Sequence, residues 1–119
     1  MKGVGMIDPV DRQMLELAAK AGGIRLEWDG PPDKWQPMYY KGKTYHSWDP
    51  RHDDGDSRRL QNHLRIGVEY EKLHTVAVWC QVIDDWITEY CEDGMGADID
   101  DKTRLAVLRA AAEFGKAMP

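Results

Sequence analysis

Residues 66–91 read IGVEYEKLHTVAVWCQVIDDWITEYC, and this stretch decides the fold class. Ile66, Val68 and Tyr70 alternate with Gly67 and Glu69, and Val76, Val78, Cys80 and Val82 alternate with Ala77, Trp79 and Gln81. Successive strand side chains point to opposite faces, so this alternation predicts two strands. A turn at Glu71-Lys72-Leu73-His74 puts both apolar sets on one sheet face. Residues 86–91 admit two readings. Val82, Ile83, Trp86, Ile87, Tyr90 and Cys91 also fit helical spacing, but Trp, Ile, Thr and Tyr favour a strand, with Asp84-Asp85 as its turn. The strand is the reading adopted.

On the N-terminal side, Asp49 to Asp56 forms a loop leading into a helix that runs to about Leu64. Asp53 or Asp54 can cap this helix, and Asp56 suits the positive end of its dipole. Lys41-Gly42 is a plausible hairpin tip between strands at 35–40 and 43–48. Ile24 to Trp28 alternates as a further short strand, and Asp29-Gly30-Pro31-Pro32-Asp33 breaks it. A first helix is predicted at about 9–21, with Asp8 as cap, Pro9 at the first position and Gly22-Gly23 as stop. Its apolar face is Val10, Met14, Leu17, Ala18 and Ala21. On the C-terminal side, Glu92 to Ala97 reads as a loop. A last helix at about 100–117, capped by Asp98 or Asp100, carries Leu105, Leu108, Ala111, Ala112 and Phe114. The fold class is therefore α+β: a mostly antiparallel sheet covered by about three helices, in the order α-β-β-β-α-β-β-β-α, forming a single domain over 1–119.

A chain of 119 residues, 42% hydrophobic and 31% charged, can build a core without metal or disulfide support. Cys80 and Cys91 have no Cys-x-x-Cys spacing and read as buried thiols. Met1 to Met6 lacks the apolar core of a signal peptide, and no run approaches a membrane span, so a cytoplasmic, non-membrane protein is expected. The net charge of −5 hides an uneven distribution. Residues 84–101 carry Asp84, Asp85, Glu89, Glu92, Asp93, Asp98, Asp100 and Asp101 and no Lys or Arg. That argues against direct nucleic-acid binding, which requires a basic stripe.

The residue patterns suggest little chemistry. The four carboxylates and His52 within 49–56 could hold a hard cation, but they lack EF-hand spacing, and capping accounts for Asp53, Asp54 and Asp56. His46, His52, His63 and His74 have no helical ligand spacing. Nucleophile-elbow, phosphate-loop and dinucleotide motifs are absent. Neither catalytic residues nor a cofactor or metal is assigned. The five tryptophans are many for this length and serve as core or as interface anchors. Trp28 and Trp35, beside the Pro-rich loop, are the better anchors. The acidic run is either capping charge and solvated turns or a face that attracts a basic partner.

One resemblance adds to this reading. DRQMLELAAKA at 11–21, Trp28-Asp29-Gly30, Trp48-Asp49-Pro50, Asp53-Asp54-Gly55-Asp56, Arg59-Leu60, Thr103-Arg104 and VLRAAAEFGKAM at 107–118 follow one another in this order. The series resembles a group of small accessory proteins of tailed phages and prophages. These share a Trp-x-Pro, an Asp-Gly-Asp segment and a C-terminal Arg-Ala-Ala-Ala-Glu helix, and are more weakly linked to phage α-β-α sandwich proteins. The chain departs from that pattern in Ser57-Arg58-Arg59 and in having no Pro at the start of the last helix. No activity attaches to the group, so no catalytic residue carries over.

Together these features lead to the expectation of a phage accessory protein without enzymatic activity. It would bind a host or anti-phage defence protein, for instance of the CRISPR type, stoichiometrically in the host cytoplasm. The partner would present a basic surface to Trp28, Trp35, Asp84, Asp85, Glu89, Glu92 and Asp93. A homodimer is compatible with this. The alternative is a small-ligand binder or sponge for a nucleotide signal, with Arg58, Arg59 and Arg65 on phosphate and a tryptophan stacked on the base. A metal-dependent enzyme using Asp49 to Asp56 is a third reading.

Overall fold

In a computed structural model of the chain, residues 8–30, 36–72, 74–92 and 98–119 are described. They form three helices and six strands in an α+β fold: α1 (Pro9–Ala21), β1 (Glu27–Asp29), β2 (Gln36–Lys41), β3 (Thr44–Ser47), α2 (Asp54–Leu64), β4 (Val68–Lys72), β5 (Thr75–Cys80), β6 (Asp85–Tyr90) and α3 (Ile99–Ala117). The order is the predicted one, and residues 85–90 are a strand. The strands divide into two antiparallel three-stranded sheets, β1-β2-β3 and β4-β5-β6.

Local chemistry sets the helix ends. Asp8 Oδ1 accepts from Val10 N–H at 2.8 Å, and Pro9 follows at the first helical position. Asp53 Oδ1 accepts from Asp56 N–H at 2.8 Å and caps α2. Asp98 takes the cap position of α3, yet its side chain makes no capping hydrogen bond. The strand predicted from Ile24 begins only at Glu27, because Ile24 N–H donates back to Ala19 O at the end of α1.

Helix α3 is the centre of the molecule. One side packs on the second sheet: Ala106, Val107 and Ala110 meet Ile66, Val78, Cys80 and Ile87. Leu108 and Ala111 join Leu15, Ala18 and Ala19 of α1 with Trp48 and Leu60, and Trp28 and Tyr39 of the first sheet pack on this second cluster. The buried stripe of α1 is thus Leu15, Ala18, Ala19 and Ala21, of which Ala18 and Ala21 lie on the predicted face; Val10, on that face too, is 66% exposed. The α1–α3 crossing is tight: a Cβ on Gly115 would lie 2.0 Å from Leu17 O, so only glycine fits there. Cys80 and Cys91 are buried thiols. None of the described helices is long and apolar enough to cross a membrane.

Candidate functional site

The register of the second sheet sorts its side chains. Trp79 pairs with Trp86, Ala77 with Thr88 and Glu69, and Thr75 with Tyr90. Because α3 covers the Val76, Val78 and Ile87 face, this set points the other way. Among the described residues no element packs extensively on that outer face. Trp79 and Trp86 meet edge to face at 5.4 Å between centroids, and Trp86 and Tyr90 are 42% and 63% exposed. Trp86 and Tyr90 of β6 therefore present aromatic surface to solvent, with the carboxylate of Glu69 across the sheet, while Thr75 and Ala77 of the central strand are buried and Trp79 is half-buried.

The acidic run divides once folded. Glu89 faces inward, is largely buried and pairs with Arg109 of α3. Asp101 pairs with Arg104, and Glu92, exposed, lies 3.5 Å from Lys102 Nζ. The lack of Lys and Arg within 84–101 thus does not leave all eight carboxylates uncompensated: α3 folds its own bases back onto three of them. Asp84 sits at the β5–β6 turn with φ 53°, a left-handed conformation that Asp tolerates, and its N–H donates to Gln81 O. Asp85 Oδ1 accepts from Trp86 N–H at 2.7 Å. Asp84, Asp85 and Glu92 remain at the ends of the strands bearing the aromatic face, while Glu89 does not reach it. Asp93 and Trp35 lie outside the described residues.

Trp28 belongs to the interior edge of the first sheet. It is half-buried, its Nε1–H donates to Glu16 at 3.1 Å, and the Arg12 guanidinium stands 4.8 Å from its ring centroid. These contacts hold α1 to β1 and leave Trp28 poorly placed as a partner anchor. Trp86, which the sequence reading did not single out, occupies an exposed position instead, packed edge to face on the half-buried Trp79.

The carboxylates of 49–56 are all engaged by protein donors. Asp49 accepts from Arg51 Nε and Nη2 at 2.8 and 3.1 Å and lies 2.8 Å from His52 Nδ1. Burial works against its charge, but the hydrogen bonds from Arg51 and His52 prevail, so its pKa lies below the usual carboxylate value. Asp54 pairs with Arg104, whose Nε also donates to Arg51 O at 2.9 Å. Asp56 is buried; Oδ2 accepts from Asp49 N–H at 2.9 Å and Oδ1 from Arg59 Nη2 at 2.6 Å. Arg104 and Asp56 thus tie the loop to α3 and α2, and among the described residues no His, Cys, Asp and Glu cluster has metal-binding geometry.

The three candidate arginines do not converge. Arg58 and Arg59 are successive on α2 and face different ways. Arg58 lines a depression with Asp54, Asp100 and Arg104. Arg59 lines a cleft of about 290 Å³ with Trp48, Tyr39 and Lys41. Arg65 follows the helix at φ 55° and closes it through its own N–H to Asn62 O. No protein-family model matches this chain, and neither a curated protein nor a solved structure matches it.

Proposed function

We propose that this chain is a non-catalytic binding protein that engages a basic surface of a partner protein through the outer face of the β4-β5-β6 sheet. The observation that carries this reading is the exposure of Trp86, edge to face with the half-buried Trp79, and of Tyr90 on the same face. Aromatic side chains bury large area at small entropic cost and dominate interface energetics, and their faces attract cations. The charge around them has one sign: between Val68 and Glu92 stand Glu69, Glu71, Asp84, Asp85, Glu89 and Glu92 against Lys72 alone. Even with Glu89 neutralised by Arg109, the surroundings favour a Lys- or Arg-bearing partner. The resemblance to phage accessory proteins supports a host or defence protein as the partner, bound in the host cytoplasm.

Affinity capture from host lysate tests this with wild type beside a Trp86→Ala, Tyr90→Ala double variant. Wild type should enrich a partner in a salt-sensitive manner. The double variant should lose it, since truncating one buried interface tryptophan costs about 2 kcal/mol or more, roughly 30-fold in affinity. Asp84→Lys with Glu92→Lys should weaken capture with only a small loss of stability, because both positions are exposed and the left-handed φ of 53° at Asp84 costs Lys little more than Asp. Equal capture by the double variant, or no enriched partner at any salt, would overturn the reading.

A further inference from the structure

We propose that the cleft between the first sheet and α2 is a separate site for a small ring-bearing anion of the nucleoside-phosphate class. The cleft holds about 290 Å³, at the small end of ligand pockets, which suits one mononucleotide. Trp48 and Leu60 line it but are each only 2% exposed, so the half-buried Tyr39 offers the accessible ring surface. Its rim carries Lys41, Arg59 and His63. Arg59 and His63 are four apart on α2 and so project from one side of that helix, while Lys41 arrives from the end of β2. Three basic side chains thus reach one opening from two elements.

Asp56 is the one carboxylate lining the cleft, and it is already engaged by Asp49 N–H and Arg59. A guanidinium has five N–H donors, and Asp56 takes one of them from Arg59, whose side chain is 66% exposed. The site combines the ring of Tyr39 with a basic rim, which is the chemistry that recognises a ring carrying a phosphate. It does not depend on the outer face of the second sheet.

Titration of the labelled protein with AMP, followed by ¹⁵N–¹H spectra, tests the site. AMP should shift the Trp48 indole signal and the amides of Lys41, Arg59 and His63 saturably. Lys41→Glu, an exposed substitution, should weaken AMP by about tenfold with an unchanged melting temperature. Adenosine and inorganic phosphate, each lacking half of the recognised chemistry, should bind more weakly than AMP. The Trp86→Ala, Tyr90→Ala variant should bind AMP like wild type, which separates this site from the protein-binding face. Signals unmoved by millimolar AMP, shifts unaltered in Lys41→Glu, or adenosine or phosphate matching AMP would each overturn the proposal.

Discussion

The two sheets share strand number and antiparallel pairing, and each leaves tyrosines exposed, Tyr40 and Tyr45 in the first and Tyr70 and Tyr90 in the second, yet they dispose of their tryptophans in opposite ways. The first sheet turns Trp28 and Tyr39 inward, beside Trp48, onto Leu15 and Leu60. The second turns Val78, Cys80 and Ile87 inward and leaves Trp86 and Tyr90 in solvent. The cause lies in the helix face each sheet meets. Ala106, Val107 and Ala110 of α3 are small, so helix and second sheet approach closely and leave no room for rings. The aromatic residues of β5 and β6 therefore occupy the far face. An aromatic-rich small domain cannot be read as all core or all interface; the partner layer of each strand decides.

The sharpest way to break this comparison is to truncate one tryptophan from each class. Trp48→Ala removes a side chain 2% exposed in the first cluster and should cost about 4 kcal/mol by urea unfolding. Trp86→Ala, 42% exposed, should cost about 1 kcal/mol, mostly its edge contact with Trp79. Equal costs would mean that the outer face is covered in solution. Next in size is the junction that both halves share. Gly115→Ala places a methyl group against the Leu17 backbone, which cannot rotate aside as a side chain would, and should cost about 3 kcal/mol. An unchanged unfolding midpoint would show that α1 and α3 are farther apart than described.

A smaller effect separates the 49–56 loop from both sheets. Asp49 has a folded pKa below its ordinary 3.8, set against burial by hydrogen bonds from Arg51 and His52. A carboxylate shifted down contributes stability that is fully present above the unfolded pKa and is lost as pH falls through the folded one. Asp49→Asn should therefore cost about 1.5 kcal/mol near neutrality, where the charged hydrogen bonds are intact. The gap between variant and wild type should narrow below about pH 4. Urea midpoints measured across pH would show this convergence; a gap independent of pH would assign the cost to packing rather than charge.

The sequence was legible where the information is local. Asp8-Pro9 and Gly22 bracket α1 as read, and the alternation through 76–80 marks β5 with its inward and outward sets. It was not legible where distant segments meet. Nothing between 84 and 101 announces that Arg109 reaches back to Glu89 or Lys102 to Glu92. The division into two sheets depends on which hairpins pair, and no local pattern states this. The Trp79–Trp86 pair lies between these limits. The alternation puts Trp79 on the outer set, but Trp86 falls opposite only if the turn spans 81–84, a register that follows from the turn geometry at Asp84. The Trp48 cleft required β2, β3 and α2 to be assembled first, and its arginine, Arg59, was legible only as one of three.

That last selection yields the smallest effect. Arg65 was a candidate phosphate ligand beside Arg58 and Arg59, but its backbone is left-handed at φ 55°, where it ends α2. A non-glycine residue there carries a conformational cost of about 1 kcal/mol, which glycine does not. Glycine also gives the unfolded chain more freedom, offsetting part of the gain. Arg65→Gly should therefore raise stability by about 0.5 kcal/mol, read as a small upward shift in the urea midpoint. AMP affinity should stay unchanged, because Arg65 does not line the cleft. A variant that is both less stable and weaker in AMP binding would return Arg65 to the ligand site, and would mean that the end of α2 lies closer to the Lys41 rim than this structure places it.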